Sequence, residues 1–503
     1  MINLLVVPVL LPLLAGSLLL IGHRLRLPPK RALSLAACWG LVPVALWLTL
    51  LAGDGQLRVY ALGNWAAPFG IVLVLDRLAA LMVLLCAVLA AFALLYACRG
   101  DDARGPNFHA LFQFQLAGLN GAFLTGDLFN LFVFFEILLI SSYALLVHGN
   151  APGRVRAGLH YVVLNLLGSA LFLIGVALLY GLLGTLNMAD LAARVARAEP
   201  EIQPLLAAAG FILLVVFGLK AAILPLHFWL PRTYAAAPAP VAALFAIMTK
   251  VGLYAILRVF TLVFGSEAGA LANLVGDGLW WLALATLAMG AVGALAARDL
   301  QRMFGYLVVV SVGTLLAGLS LGTVEGLAAA LYYLLHTTLV SAGLFLLADL
   351  VVRQRGVMAG ELAPAQPLRQ PLLLGALFFA GAIAVVGLPP FSGFLGKLML
   401  LQAVAPDQGG FVLWAVVLLG GLTMLIALSR AGSLVFWRGG TEPPGEALAQ
   451  RSDSVRLCAC VALLACSPLM VLGAAPLRAY MQATAEQLLL LGPYLAIVAG
   501  GAA

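Results

Sequence analysis

Apolar runs, each close to the roughly 20 residues needed to cross hydrocarbon, follow one another along the whole chain, and short loops between them carry most of the charge. The pattern predicts helices near 2–22, 32–52, 71–97, 108–124, 128–147, 159–183, 205–230, 238–264, 274–297, 303–320, 325–349, 372–404, 411–437 and 456–475. About fourteen spans result. Basic residues collect in alternate loops: Arg24, Arg26, Lys30 and Arg31; Arg99 and Arg104; Arg154 and Arg156; Arg232; Arg298 and Arg302; Arg353, Arg355 and Arg369; Arg438, Arg451 and Arg456. The intervening loops hold Arg58, Arg194, Arg197 and Arg478. The positive-inside rule then places both ends of the fourteen-span chain outside. The segment 480–499 is apolar but contains Glu486 and Pro493, which leaves it lying on the membrane or docked on a partner.

Two of these helices, the seventh and the twelfth, cannot run unbroken. In the run from Gly387 through Pro389, Pro390, Ser392, Gly393 and Gly396 to Lys397, consecutive prolines remove donors and glycine weakens the helix. Pro225 clashes in the same way with the carbonyl of Ala221. Each break stands beside a lysine. Irregular backbone at membrane depth persists only where protein or a water-filled cavity satisfies it, and paired interruptions in two halves of a transporter mark its site. The predicted fold is therefore an all-α polytopic membrane domain over 1–503. It divides into three N-terminal helices (1–107), a five-helix repeat (108–264), an inverted five-helix repeat (274–437) and a C-terminal helix with its tail (438–503).

Of 503 residues, 64% are hydrophobic and 9% charged, which excludes a soluble enzyme. The net charge of +7 comes from arginines scattered through short loops, a signature of membrane insertion and not of a nucleic-acid surface. Six cysteines, Cys38, Cys86, Cys98, Cys458, Cys460 and Cys466, lie in or at the ends of apolar runs without a CxxC pair. No dinucleotide fingerprint, phosphate loop or iron–sulfur spacing is present, so neither cofactor nor metal is expected. Any redox chemistry would sit in a partner. The basic residues near the start follow the apolar run Met1–Ile21 instead of preceding it, which predicts a retained first span with its N-terminus outside.

Three of the four lysines, Lys220, Lys250 and Lys397, sit inside apolar runs, together with Glu136 and His336. A lysine or aspartate at a helix centre costs roughly 2.5–3.5 kcal/mol on insertion scales. A chain that keeps several such groups is expected to use them as a path for ions or protons. Lysine suits that task because burial helps an ammonium release its proton, whereas a guanidinium stays charged. Glu136, flanked by Phe132 and Phe135, is expected to tune the proton affinity of Lys220. Lys220 and His227, seven residues apart, would share a helix face across the Pro225 kink, making His227 a relay or an interfacial group. Lys250 has Tyr254 one turn on and Arg258 two turns on, with Arg258 expected at the outer interface. His336 has Tyr332 and Tyr333 one turn behind it and Thr337 beside it, an assembly able to hold water in a relay. Asp76 and Arg77 read as an interfacial pair. Gln113, Gln115, Asn130, His160 and Asn165 are read as groups that hydrate a channel or glue helices together.

At these residues the chain resembles the proton-translocating antiporter-like family, which includes Mrp- and Pha-type monovalent cation/proton antiporter subunits and the large membrane subunits of complex I and related hydrogenases. The stretch from Gly218 and Lys220 through Pro225, His227, Trp229 and Pro231 to Pro238 and Pro240 looks like the family's helix-seven signature. Glu136 after Phe134-Phe135 matches the helix-five glutamate, Lys250 before Val251-Gly252 the helix-eight lysine, and Lys397 the helix-twelve lysine. Asn130 to Gly149 looks most like the D-type branch of the Mrp and Pha antiporter subunits. The pattern departs at one place: many relatives carry a lysine just after the helix-eleven histidine, and here Thr337 follows His336, so the central link would rest on histidine and water.

The resemblance implies a proton-translocating subunit of a sodium- or potassium-for-proton antiporter, a transporter and not an enzyme. It would work only among other membrane subunits, in the bacterial inner membrane. The alternative it leaves open is a proton-pumping membrane subunit of a complex I-like NADH-quinone oxidoreductase or membrane-bound hydrogenase. A non-conducting scaffold is the third reading.

Overall fold

The computed structural model describes residues 2–65, 67, 69–365, 368–405, 409–437 and 452–500. Its first part comprises α1 (Val7–Ile21), α2 (Leu27–Ala52), strands β1 (Arg58–Ala61) and β2 (Val72–Leu75), and α3 (Arg77–Ala97). Then come α4 (Phe108–Leu124), α5 (Leu128–Leu146), α6 (Pro152–Leu183), the short α7 (Met188–Val195), α8 (Gln203–Ala221), α9 (Leu230–Ala236), α10 (Ala239–Phe245) and α11 (Met248–Leu262). The remainder is α12 (Gly276–Ala296), α13 (Leu300–Ser320), α14 (Val324–Arg355), α15 (Pro371–Val386), α16 (Ser392–Gln402), α17 (Gly410–Gly432), α18 (Ser454–Leu472), α19 (Ala474–Leu489) and α20 (Leu491–Gly500). Among the described residues, twelve helical segments are long and apolar enough to cross a membrane. Arg438 and Arg451, two of the basic loop residues, lie outside the described residues.

The chain is not wholly helical. Where a helix was expected from residue 71, Val72–Leu75 forms a strand paired antiparallel to Arg58–Ala61, with Leu73 also bridging Thr125. Branched valines alternate there, and a strand suits them. Asp76 ends it and starts α3, its carboxylate accepting the Ala79 amide at 2.7 Å as an N-cap. At the start of α2, Pro28 and Pro29 occupy the first turn, where a missing amide hydrogen costs nothing, so Lys30 and Arg31 are helical and not in a loop.

Burial orders the bundle. The α10–α11 span is buried along its whole apolar window, and α13 and α14 over 83% of theirs, whereas α2 and α17 are one-third buried. The central helices thus meet protein on all sides, and the outer ones present leucine and tryptophan outward, as hydrocarbon requires.

Both expected breaks are present. α8 stops at Ala221, Ala222 takes a left-handed conformation (φ 63°), and the chain resumes in a short 3-10 turn before α9. α15 stops at Val386, Gly387 takes the same hand (φ 86°), and α16 begins at Ser392. A third break was not expected. The helix read as 238–264 is interrupted at Ala246–Ile247, where the hydroxyl of Tyr234 donates to the Phe245 carbonyl at 2.6 Å. No proline or glycine marks that point in the sequence.

The segment 480–499 docks on its own chain. Met481, Ala485, Leu488, Tyr494 and Val498 are buried, α19 packs on α14, and α20 packs on α7. Tyr480 donates to the Arg77 carbonyl (3.1 Å), and Gln487 accepts the Arg77 amide (3.0 Å). These contacts fasten the tail to the end of the bundle that carries Asp76.

At the opposite end, Asp101 and Asp102 fasten three regions together. Asp102 holds Arg31 of α2 through both oxygens (2.6 and 2.7 Å) and meets His109 Nε2 at 3.0 Å. Asp101 pairs with Arg104 (2.9 Å), Arg353 (2.9 Å) and Arg456 (3.1 Å). Burial pushes both carboxyls up; at Asp102 the hydrogen bonds from Arg31 and His109 outweigh it and hold that carboxyl well below the usual range. Cys98, Asp102 and His109 converge to within 4.8 Å, a grouping the cysteine spacing did not suggest. The Arg31 guanidinium already fills the cation position there.

Candidate functional site

Lys220 occupies the last turn of α8, where the negative end of the helix dipole favours a cation. Its Nζ donates to the Asn165 carbonyl (3.3 Å), Asn165 Oδ1 (3.2 Å) and Ser169 Oγ (3.5 Å). The Ser169 hydroxyl in turn donates to Glu136 Oε1 of α5. The carboxylate and the ammonium are therefore joined through a hydroxyl on α6. Gly168 makes the room: a Cβ there would stand 2.8 Å from the Leu219 side chain and 3.7 Å from Lys220 Nζ. The groups freed by the break are satisfied within the protein, with Trp229 Nε1 donating to the Leu219 carbonyl (3.1 Å) and the Leu224 amide to Thr286 Oγ1 (3.0 Å).

Lys250, wholly buried, lies in the first turn of α11 just beyond the unexpected break. Its Nζ donates to Ser311 Oγ of α13 at 3.2 Å, while the Ser311 hydroxyl donates to the Val308 carbonyl at 2.7 Å. Among the described residues no carboxylate pairs with it. α11 approaches the end of α8 closely at Gly252, where a Cβ would lie 2.5 Å from the Ala221 amide nitrogen. That approach puts the Lys250 helix directly beside the turn that carries Lys220.

The third group surrounds the second expected break. Lys397 Nζ reaches back to the last carbonyls of α15, Val386 at 2.7 Å and Val385 at 3.3 Å. It thus also sits at a helix C-terminus. His336 Nδ1 meets Ser392 Oγ at 2.8 Å, and Ser392 Oγ meets Ser467 Oγ of α18 at 2.9 Å. His336 Nε2 is buried without a hydrogen-bond partner among the described residues. Gly393 lets α16 close on this ring, since a Cβ would stand 2.7 Å from Nε2.

The remaining sequence-predicted groups divide. Tyr333 packs tilted beside His336 with ring centroids 5.6 Å apart and turns toward Thr314 and Thr337, so it and Thr337 belong to the third group. Tyr332 does not: its hydroxyl donates to the Met470 carbonyl (3.2 Å). Tyr254 donates to the Phe123 carbonyl (2.7 Å) and accepts from Arg258 (3.2 Å), pointing away from Lys250. His227 shares no helix face with Lys220, because residues 222–225 between them are not helical; it is half-buried on the 3-10 turn. Arg258 reaches the Asp76 end of the bundle without being exposed there. It is buried and paired with Asp76 at 2.6 Å, with the Tyr254 and Tyr494 rings 5.4 and 5.6 Å from its guanidinium. Arg77, the expected partner of Asp76, instead donates to the carbonyls of Ala52 (3.4 Å) and Gly53 (2.8 Å).

Sequence reasoning missed the hydroxyls. Ser169 and Ser311 each stand on a helix other than the one bearing the charged group they contact, and Ser467 reaches His336 only through Ser392. Asn165 and Ser169, four apart on one face of an apolar helix, were the available signal.

The family described as NADH:quinone oxidoreductase/Mrp antiporter, transmembrane, matches residues 125–423. A probable K(+)/H(+) antiporter D-type subunit from Rhizobium meliloti (strain 1021) is 43% identical over 525 residues, spanning 97% of this chain and 96% of that protein. The Na(+)/H(+) antiporter D-type subunit of Alkalihalophilus pseudofirmus is 38% identical over 499 residues, spanning 97% of each. Among solved structures, a chain of the Mrp complex from Dietzia sp. DQ12-45-1b superposes with a TM-score of 0.88 at 28% identity, covering 99% of this chain and 100% of that one.

Proposed function

The chain belongs to the NADH:quinone oxidoreductase/Mrp antiporter family of membrane proteins, and we propose that its buried amines pass protons in exchange for sodium or potassium ions. It is a secondary-transporter subunit of the Mrp type, as its relatives are. The bridge from Glu136 through Ser169 to Lys220 carries this reading of the site. A charged pair built only to fix packing gains most by direct contact. A hydroxyl placed between the two can instead accept a proton on one side while releasing one on the other.

In this reading a proton enters near Lys220, passes Lys250 and His336, and leaves near Lys397. Glu136 sets the charge state at the start. Lys220 and Lys397, at helix C-termini, hold their charge on carbonyl oxygens and Lys250 holds its own on a serine hydroxyl, so none makes direct contact with a carboxylate it would have to abandon on losing its proton. His227, Tyr254 and Tyr332 have no part in the route. No direct hydrogen bond joins the three groups to one another among the described residues, so transfer between them requires water.

The proposed topology has fourteen crossings: the twelve long segments, the 17-residue α4, and α15 with α16 as one broken span. Residues 108–264 and 274–437 would be inverted five-helix repeats, and the fourth crossing of each is a broken one, α8–α9 and α15–α16. The Asp76 end would face outward and the Asp101 end the cytoplasm of a bacterial inner membrane, with the N-terminus outside. Other antiporter subunits would complete the cation route, because no carboxylate cage is formed among the described residues at membrane depth.

Replacing Lys220 or Glu136 by alanine is expected to abolish cation-driven proton movement in everted vesicles while the complex still assembles. Exchange at the unsubstituted level in either variant would reject the assignment.

A further inference from the structure

A cavity of about 650 Å³ opens at the Asp76 end between α11, α12 and α13, with Ser266, Asn273 and Ser320 among its lining groups. Beside it lies a second, far tighter chamber of about 10 Å³, walled mainly by leucines of α3, α11, α13 and α14. Leu257 and Leu319 line both spaces. They are the partition between them.

The partition stands on the two helices that meet at the central lysine. On α11, Leu253 and Leu257 lie one and two turns beyond Lys250; on α13, Leu315 and Leu319 lie one and two turns beyond Ser311. A water needs about 10–15 Å³ and two to four polar partners. The chamber is at the limit of that volume, and its one polar side chain, Tyr254, is already bonded to Phe123 and Arg258. The chamber therefore offers a water no free partner, and Leu257, on the wall it shares with the vestibule, stands about 10 Å beyond Lys250 along the α11 axis.

We propose that Leu257 and Leu319 form a dewetted gate between this vestibule and Lys250, sealing a direct proton route from the Asp76 side to the central lysine. The proposal rests on Lys250 being a proton carrier. A water chain through the chamber would connect that carrier to one side of the membrane at all times, and protons would then cross without a cation moving the other way. The leucines prevent this because a chain of waters cannot persist between apolar walls that offer it no hydrogen bonds.

The assembled complex in sealed vesicles, loaded with a pH gradient in the absence of sodium and potassium, tests the gate. Leu257→Ser and Leu319→Ser, each checked for assembly by co-purification, are expected to make the gradient decay several-fold faster. Adding Lys250→Ala to either should restore the slow decay. A general defect in packing would leak whether or not Lys250 is present, so fast decay that persists in the double variants overturns the proposal. Unchanged decay in both serine variants overturns it as well. Exchange measured on Lys250→Ala alone judges separately whether Lys250 carries protons at all.

Discussion

Glu136 and Lys220 are joined through the hydroxyl of Ser169 and do not touch, so the group that connects them belongs to neither of their helices. A proton moving between them must pass that oxygen or a water replacing it.

Ser169→Ala is expected to lower exchange by about 100-fold, the low side of what a positioned proton-transfer group contributes. Ser169→Thr, which keeps the hydroxyl, should retain most of it. Vesicle exchange assays on both variants decide the matter; equal activity in the two would mean the bridge is only structural.

Lys220→Arg and Lys397→Arg preserve charge at the helix termini but install a group that stays protonated. Assembly should be normal and exchange lost in both. Wild-type exchange in either would show that a fixed charge suffices at that position.

Ser392→Ala removes the partner of His336 Nδ1 and of Ser467 together. Leaving buried polar groups unpaired costs about 1–3 kcal/mol, which thermal unfolding of the purified complex would register as a lower midpoint. Ser467→Ala, which leaves the His336–Ser392 bond in place, should cost less. The reverse order would argue that the histidine does not depend on this contact.

Asp76→Ala strands the buried Arg258 guanidinium, and loss of one member of such a pair costs about 3–5 kcal/mol. Combining it with Arg258→Met should recover much of the loss. If the single change leaves the melting temperature alone, the pair is not the fastening its burial indicates.

The Asp102 carboxyl, held below its ordinary 3.8 mainly by Arg31 and His109 against the cost of burial, favours the folded form above that value. Its contribution is fully present at neutral pH and is lost as the pH falls below about 3.8 through the folded value. Hydrogen exchange in residues 98–107 should therefore rise at acid pH. Asp102→Asn should raise it already at neutral pH and flatten the dependence.

Much of the bundle was legible because its signal is carried by composition over long windows. Helices 77–97, 128–146 and 300–320 stand close to where the apolar runs placed them, and Pro225 and Pro389 announced two breaks by their own chemistry. The break before Lys250 was not announced. The Tyr234 hydroxyl bonds the Phe245 carbonyl there, a contact made only once α9 and α10 have packed. The strand at Val72–Leu75 was absorbed into a helix for a related reason: four apolar residues read alike in either state, and its partner strand lies more than ten residues earlier.

The sequence by itself determined a multi-pass helical protein, its family, and which side chains would be charged in an apolar setting, since each follows from local hydrophobicity, proline and the residues present. It could not decide with whom those side chains pair. Asp76 chose Arg258 over its neighbour Arg77, Lys220 reached Glu136 only through Ser169, and Tyr254 and Tyr332 turned away from the groups they seemed to accompany. Hydrophobic burial acts on the area of a segment and is readable along the chain, whereas hydrogen bonds act over about 3 Å in fixed directions. Which donor comes within that reach is settled only when helices distant in sequence have packed.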